Sequence, residues 1–189
     1  MLSSLASMDS TRSSPAFSDG GFIFLMSMEA VLATVAIFVL RARRYDIRSL
    51  YPAPTGSGLA VGVLLYGVVL VCWAVMSVVL ADDRAQPVDA MVQNATVSLA
   101  VIVPTAIVNG AYEEVFLLGF LARGLRGHGA SVALGVSLLV RILYHTYQGP
   151  LGVVSMLVFG GVLGGFYLRT GGLFPVVFAH ILADIIPFL

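Results

Sequence analysis

The sequence predicts an all-α protein: a polytopic transmembrane helix bundle of about six spans. Three observations predict it. Hydrophobic residues make up 59% of the 189 and charged residues only 11%, where a soluble domain carries roughly 25% charged residues. The mean hydropathy is +0.98. Apolar runs long enough to cross a hydrocarbon core at about 1.5 Å per residue recur between short turn-rich segments, and they are far too long for barrel strands of about 9–11 residues.

Charge and cysteine content narrow the function. The ten basic residues are all arginine and are balanced by ten acids, a formal net charge of zero, so no nucleic-acid or acidic partner is indicated. Cys72 is the single cysteine and lies in an apolar run. That excludes an internal disulfide, a cysteine zinc site and a CxxC redox motif.

Residues 1–20 are Ser-rich without hydrophobic period and lack the basic start and cleavage site of a secretory signal, so a disordered polar tail is expected. Residues 21–94 hold two N-terminal spans. The first runs from about Gly21 to Leu40 and contains Glu29, read as a hydrogen-bonding or interfacial acid because no motif surrounds it. Arg41, Arg43, Arg44 and Arg48 precede a Pro and Gly cluster, an arginine excess that places this connector on the cytoplasmic side. The second span is about Leu59 to Leu80, followed by an acidic loop, 81–90, placed outside.

Residues 95–189 hold the remaining four spans. The third begins near Thr96 and passes Pro104, a predicted kink, and Asn109 before Glu113. It ends at an inner loop with Arg123, Arg126 and a surface residue, His128. The fourth covers about Ala130 to Tyr147 and the fifth about Leu151 to Leu168. Gly160, Gly161, Gly164 and Gly165 form two overlapping GxxxG pairs, a pattern that lets helices approach closely. Arg169 marks an inner turn in which Gly171 and Gly172 end one helix and Pro175 starts the next. The last span carries His180 and Asp184. This arrangement expects an integral protein of the cell membrane, with the N-terminus outside and seven arginines (41, 43, 44, 48, 123, 126, 169) on inner loops.

Ionisable residues inside such spans are costly, on the order of 3 kcal/mol at the centre, so they face protein and mark function. Glu113 and Glu114 lie in AYEEVFLLGFLAR, Arg141 and His145 in RILYHTYQGP, and His180 and Asp184 in FAHILADIIPF. His180 and Asp184 share a helix face at i,i+4, as do Arg141 and His145. Glu113 and Glu114, adjacent in sequence, point about 100° apart, so only one is expected to aim at a shared centre. Hydrolysis of an amide in a membrane needs a base for water, groups for the oxyanion and a wet cavity, and a carboxylate, two imidazoles and a second carboxylate could supply them. Cross-helix structural pairing and a proton relay in a transporter use the same residue types.

The order EE, then a histidine one helix on, then YLRTGGLFPVVFAHILAD resembles the CAAX protease and bacteriocin-processing (CPBP or Abi) family of intramembrane proteases, over roughly Val101 to Leu189. That family's pattern is EExxxR, FxxxH and HxxxN or HxxxD. Glu113 and Glu114 match the first motif, His145 the second, His180 and Asp184 the third. Leu118 stands where the family has arginine and Arg141 where it has phenylalanine, so Arg141 is expected to supply Glu114's missing cation from across the interface. The resemblance implies an endopeptidase with its catalytic core in the last four spans, residues 95–189, acting on membrane-embedded or lipid-modified protein or peptide substrates near the inner leaflet. In it Glu113 is the general base, His145 assists, and His180 with Asp184 contacts the oxyanion or a metal. His145, His180 and Asp184 are the candidate ligands for zinc or another divalent metal, since aspartate beside histidines suits it. A catalytically inactive relative acting as an immunity or scaffold protein, and a small transporter with Glu113 as proton carrier, are the alternatives. On helical rise His145 falls deeper than Glu113 and His180, so the fourth helix is expected to start late, near Ala133, or to tilt.

Overall fold

A computed structural model describes residues 16–80 and 87–189. Among them the chain is helical nearly throughout, with no β-sheet. The helices are α1 (Asp19–Ala42), α2 (Gly56–Leu80), a short α3 (Pro87–Gln93), α4 (Leu99–Glu114), α5 (Ala130–His145), α6 (Pro150–Thr170) and α7 (Leu173–Ile185). Among the described residues five helical stretches are long and apolar enough to cross a membrane: 19–42, 56–79, 99–128, 130–148 and 150–170. The sixth apolar helix, Leu173–Phe188, is shorter.

The expected tail, residues 1–20, lies outside the described residues for its first fifteen positions, as does most of the expected outer loop, at 81–86. Where the tail becomes describable it is already ordered. Ser18 caps α1, its Oγ accepting from the amide of Gly21, so the helix starts two residues earlier than hydropathy suggests. Asp19 accepts hydrogen bonds from the Ser98 amide and hydroxyl. The carboxylate thus sits at the N-terminus of α4, where the helix dipole favours it, and ties the starts of α1 and α4 together.

Packing follows the small residues. On α6, a Cβ built on Gly160 would sit 2.7 Å from Leu138 Cδ2, and one on Gly164 would sit 2.6 Å from Leu134 Cδ1, whereas Gly161 and Gly165 face open space. Only one of the two GxxxG pairs is therefore a packing seam, and it is the seam that admits α5. Gly62 on α2 lies against the Pro175 carbonyl and Phe178 of α7, and Gly110 on α4 against Ile181 of α7. Helix α7 is consequently wedged between α2 and α4, while α1 docks on α4 and α5 on α6. Gly171 ends α6 with φ of +73°, and its amide closes the helix on the Tyr167 carbonyl, the left-handed cap that glycine adopts without strain.

One feature has no sequence signature. Beyond Glu114, α4 runs on without a break as a π-helix, Val115–Ala122, in which the Arg123 amide bonds to the Leu118 carbonyl. π-turns are rare and concentrate at functional sites, because the extra residue rotates side chains out of α register. Helix α5 starts at Ala130, so the late start near Ala133 that the depth of His145 called for does not occur.

Candidate active site

Glu113 is the fifteenth of the thirty residues from Leu99 to His128, and His180 the eighth of the sixteen from Leu173 to Phe188, so both sit midway along their helices. The close approach at Gly110 brings them together. Glu113, Glu114, Arg141 and His180 are all buried, and hydrogen bonds link them. Arg141 Nη1 donates to Glu113 Oε2 at 3.2 Å and Nη2 to Glu114 Oε1 at 2.6 Å. His180 Nδ1 also meets Glu114 Oε1 at 2.6 Å, while its Nε2 lies 3.9 Å from Glu113 Oε2 and 3.6 Å from Asp184 Oδ1.

Both adjacent glutamates therefore reach the cluster, contrary to the expectation that only one could. The reason is on the other side of the contact. A guanidinium is a planar fork with parallel donors, and Arg141 spreads its two Nη atoms across two side chains that diverge from consecutive residues. Leu118, at the position where an arginine was expected, is fully buried apolar packing, and Arg141 supplies the cation for Glu114 from α5 instead.

Phe159 of α6 closes the wall. Arg141 stacks 5.3 Å over its ring and His180 meets it edge-on at 5.0 Å. An aromatic face beside a guanidinium gives cation–π attraction that strengthens as the pair is desolvated. Gly160 leaves the space: a Cβ there would lie 3.1 Å from Arg141 Cδ.

The remaining expected residues take up flanking places. Asp184 accepts from Asn109 Nδ2 at 2.8 Å, and its side chain is 28% exposed, the most open acid of the cluster. His145 turns its Nδ1 to the Arg141 carbonyl at 2.9 Å and reaches Glu113 and His180 only through longer-range electrostatics. The group that touches Glu113 from that turn is Tyr144, whose hydroxyl donates to Oε2 at 2.6 Å. Tyr144 and Asn109 were not singled out from sequence, since a tyrosine or an asparagine in a membrane helix carries no signal by itself. None of these contacts uses Oε1 of Glu113.

Among the described residues, the ligand atoms that gather within 4.8 Å of one another belong to Glu113, Glu114 and His180. Of the expected metal set His145, His180 and Asp184, only His180 is in that group. His145 is turned to its own backbone and Asp184 is tied to Asn109. Carboxylate oxygens with an imidazole nitrogen suit a divalent metal, and Glu114 Oε2 is a buried acceptor with no hydrogen-bond partner, which fits a cation. A separate cavity of about 600 Å³ lies between Tyr51, Arg123, Arg126 and Gly171–Pro175 and contains none of the cluster residues.

The helices and the cluster define an integral membrane protein with a buried acid–base site. Residues 95–186 match the family model for "Type II CAAX prenyl endopeptidase Rce1-like", so the resemblance to the CAAX protease (CPBP) family holds, and the matched part carries every member of the cluster described above. No curated protein and no solved structure matches the chain.

Proposed function

We propose that the protein is an intramembrane endopeptidase of the CAAX-protease type, hydrolysing a peptide bond in a membrane-associated protein or peptide, lipid-modified ends included, near the inner leaflet. The observation that carries the reading is the environment of Glu113. Arg141, Tyr144 and His180 all engage or approach its Oε2, which fixes the carboxylate and leaves Oε1 as the acceptor for a water proton. Hydrogen-bond reach to the proton is the first requirement of a general base.

The other roles follow. Glu114, held between Arg141 and His180, orients the imidazole by binding its Nδ1, so that Nε2 points toward Glu113 and Asp184. His180 Nε2 is then the group presented to the oxygen of the scissile carbonyl, where negative charge develops and fixed donors act most strongly. Tyr144 and Arg141 hold Glu113, and His145 assists from the end of α5. Glu113, Glu114 and His180 are the residues that would hold a divalent metal, and a metal there would polarise the carbonyl and acidify a bound water. The cell membrane is the proposed location, with the N-terminus outside.

The experiment is cleavage of a membrane-associated reporter peptide by the purified protein, wild type against His180→Ala, before and after chelation. Cleavage by the wild type that falls at least about a hundredfold in His180→Ala is expected, as for loss of an oxyanion donor. Equal cleavage by both would overturn the assignment. Loss on chelation with recovery on adding zinc would assign the metal to the site.

A further inference from the structure

Helix α1 presents Ile23, Phe24, Val31, Val35 and Phe38 outward as exposed apolar side chains, and its one buried residue is an acid, Glu29, 6% exposed. A helix normally docks on a bundle through apolar residues. A buried carboxyl is costly unless it has a partner, yet Oε2 of Glu29 has none. Glu29 is the eleventh residue of the 24 in α1, so it lies mid-helix, as Glu113 does in its own. Helix α1 packs on α4, and Glu29 is within electrostatic reach of Tyr112, Glu113, Asp184 and His180. It lies outside the region matched by the family.

The cluster with Glu29 included holds four carboxyl groups, Glu29, Glu113, Glu114 and Asp184, against one guanidinium, Arg141, and two imidazoles, His180 and the flanking His145. The charge is also distributed unevenly by element. Arg141 from α5 is bonded to Glu113 and Glu114, while Asp184 of α7 has the Asn109 amide and the His180 imidazole at 3.6 Å, and Oε2 of Glu29 on α1 has no hydrogen-bond partner. That flank is short of a cation, and it is where the cluster opens, at the part-exposed Asp184.

Amide hydrolysis produces a cation. Water adds its oxygen to the carbonyl carbon and the C–N bond breaks. The nitrogen takes up the two protons that the water and the new carboxylic acid release, so the products are a carboxylate and an ammonium. We infer that Glu29 is the carboxylate that receives the ammonium group of the leaving fragment, a substrate-binding residue on the amine side of the scissile bond; the inference rests on the hydrolase reading above. It divides the site in two: the guanidinium lies with the glutamate pair, and the acid with an unbonded Oε2 lies on the side where positive charge appears.

Binding of an amine can be measured without catalysis. The probes are leucinamide, a small primary ammonium like a released fragment, and N-acetyl-leucinamide, its uncharged counterpart, titrated into the full chain in detergent micelles. Wild type should bind leucinamide and not the acetylated compound. Glu29→Gln, which keeps shape and loses charge, should bind leucinamide at least about tenfold more weakly, as expected for loss of a charge-assisted hydrogen bond. Glu29→Asp, which keeps the charge, should restore much of the binding. Equal binding by wild type and Glu29→Gln, or no binding by folded wild type, would overturn the inference. The two readings separate cleanly: cleavage without Glu29-dependent amine binding removes the role of Glu29 alone. Glu29-dependent binding without cleavage leaves the amine site and removes the protease.

Discussion

Arg141 is the residue on which the cluster depends. It is 1% exposed and bonds two buried glutamates at once. Removing one partner from a buried ion pair leaves an uncompensated charge, which costs about 3–5 kcal/mol. Arg141→Leu should therefore lower the unfolding midpoint and abolish cleavage, and Leu118→Arg in the same chain should recover part of both by supplying the cation from one turn beyond Glu114. Thermal unfolding in micelles checks this, and an Arg141→Leu protein as stable as the wild type would contradict it. The pairing was readable from sequence because the arginine expected near Glu114 was missing and another appeared on the histidine-bearing helix. Glu113, Glu114, His180 and Asp184 were readable because ionisable groups in apolar spans stand out. Tyr144 was not, since tyrosine is common in such helices, and Glu29, expected to hydrogen-bond or to reach the interface, is instead buried mid-helix with no partner for its Oε2.

Helices α4, α5 and α6 show how backbone irregularity and small residues position those side chains. Gly160 and Gly164 form the seam with α5, while Gly161 and Gly165, one residue on, face outward. Hydropathy and spacing identify both pairs and cannot choose between them, since the choice depends on the rotation of α6 in the bundle. A Cβ at Gly160 would meet Leu138 and Arg141 together. Gly160→Ala should cost about 1–3 kcal/mol through overpacking and reduce cleavage by displacing the guanidinium. Gly161→Ala should stay within about 0.5 kcal/mol, as surface changes do. Unfolding curves for the two variants check this, and equal effects would refute the assignment of the seam. The π-helix after the glutamate pair was not legible at all, because a shift from i−4 to i−5 hydrogen bonding depends on tertiary contacts rather than on residue type.

At the scale of the whole molecule, the two N-terminal helices are part of the site's architecture. Helix α2 packs against α7 at Gly58 and Gly62, and α1 packs on α4 with Glu29 as its one buried residue. The six apolar helices among the described residues follow from hydropathy, because the bilayer imposes length and composition. How the helices pack does not follow, since that rests on where single glycines meet side chains. In the proposed mechanism α4, α5 and α7 converge to let Glu113 activate one water against an amide. The most direct test is cleavage of a membrane-associated peptide by the full chain in water enriched in oxygen-18, read by mass spectrometry. Wild type should place one heavy oxygen in each new carboxyl group, and Glu113→Gln, equally well folded, should cut at least about a thousandfold more slowly. Cleavage by Glu113→Gln at the wild-type rate, or a new carboxyl group without heavy oxygen, would contradict the account.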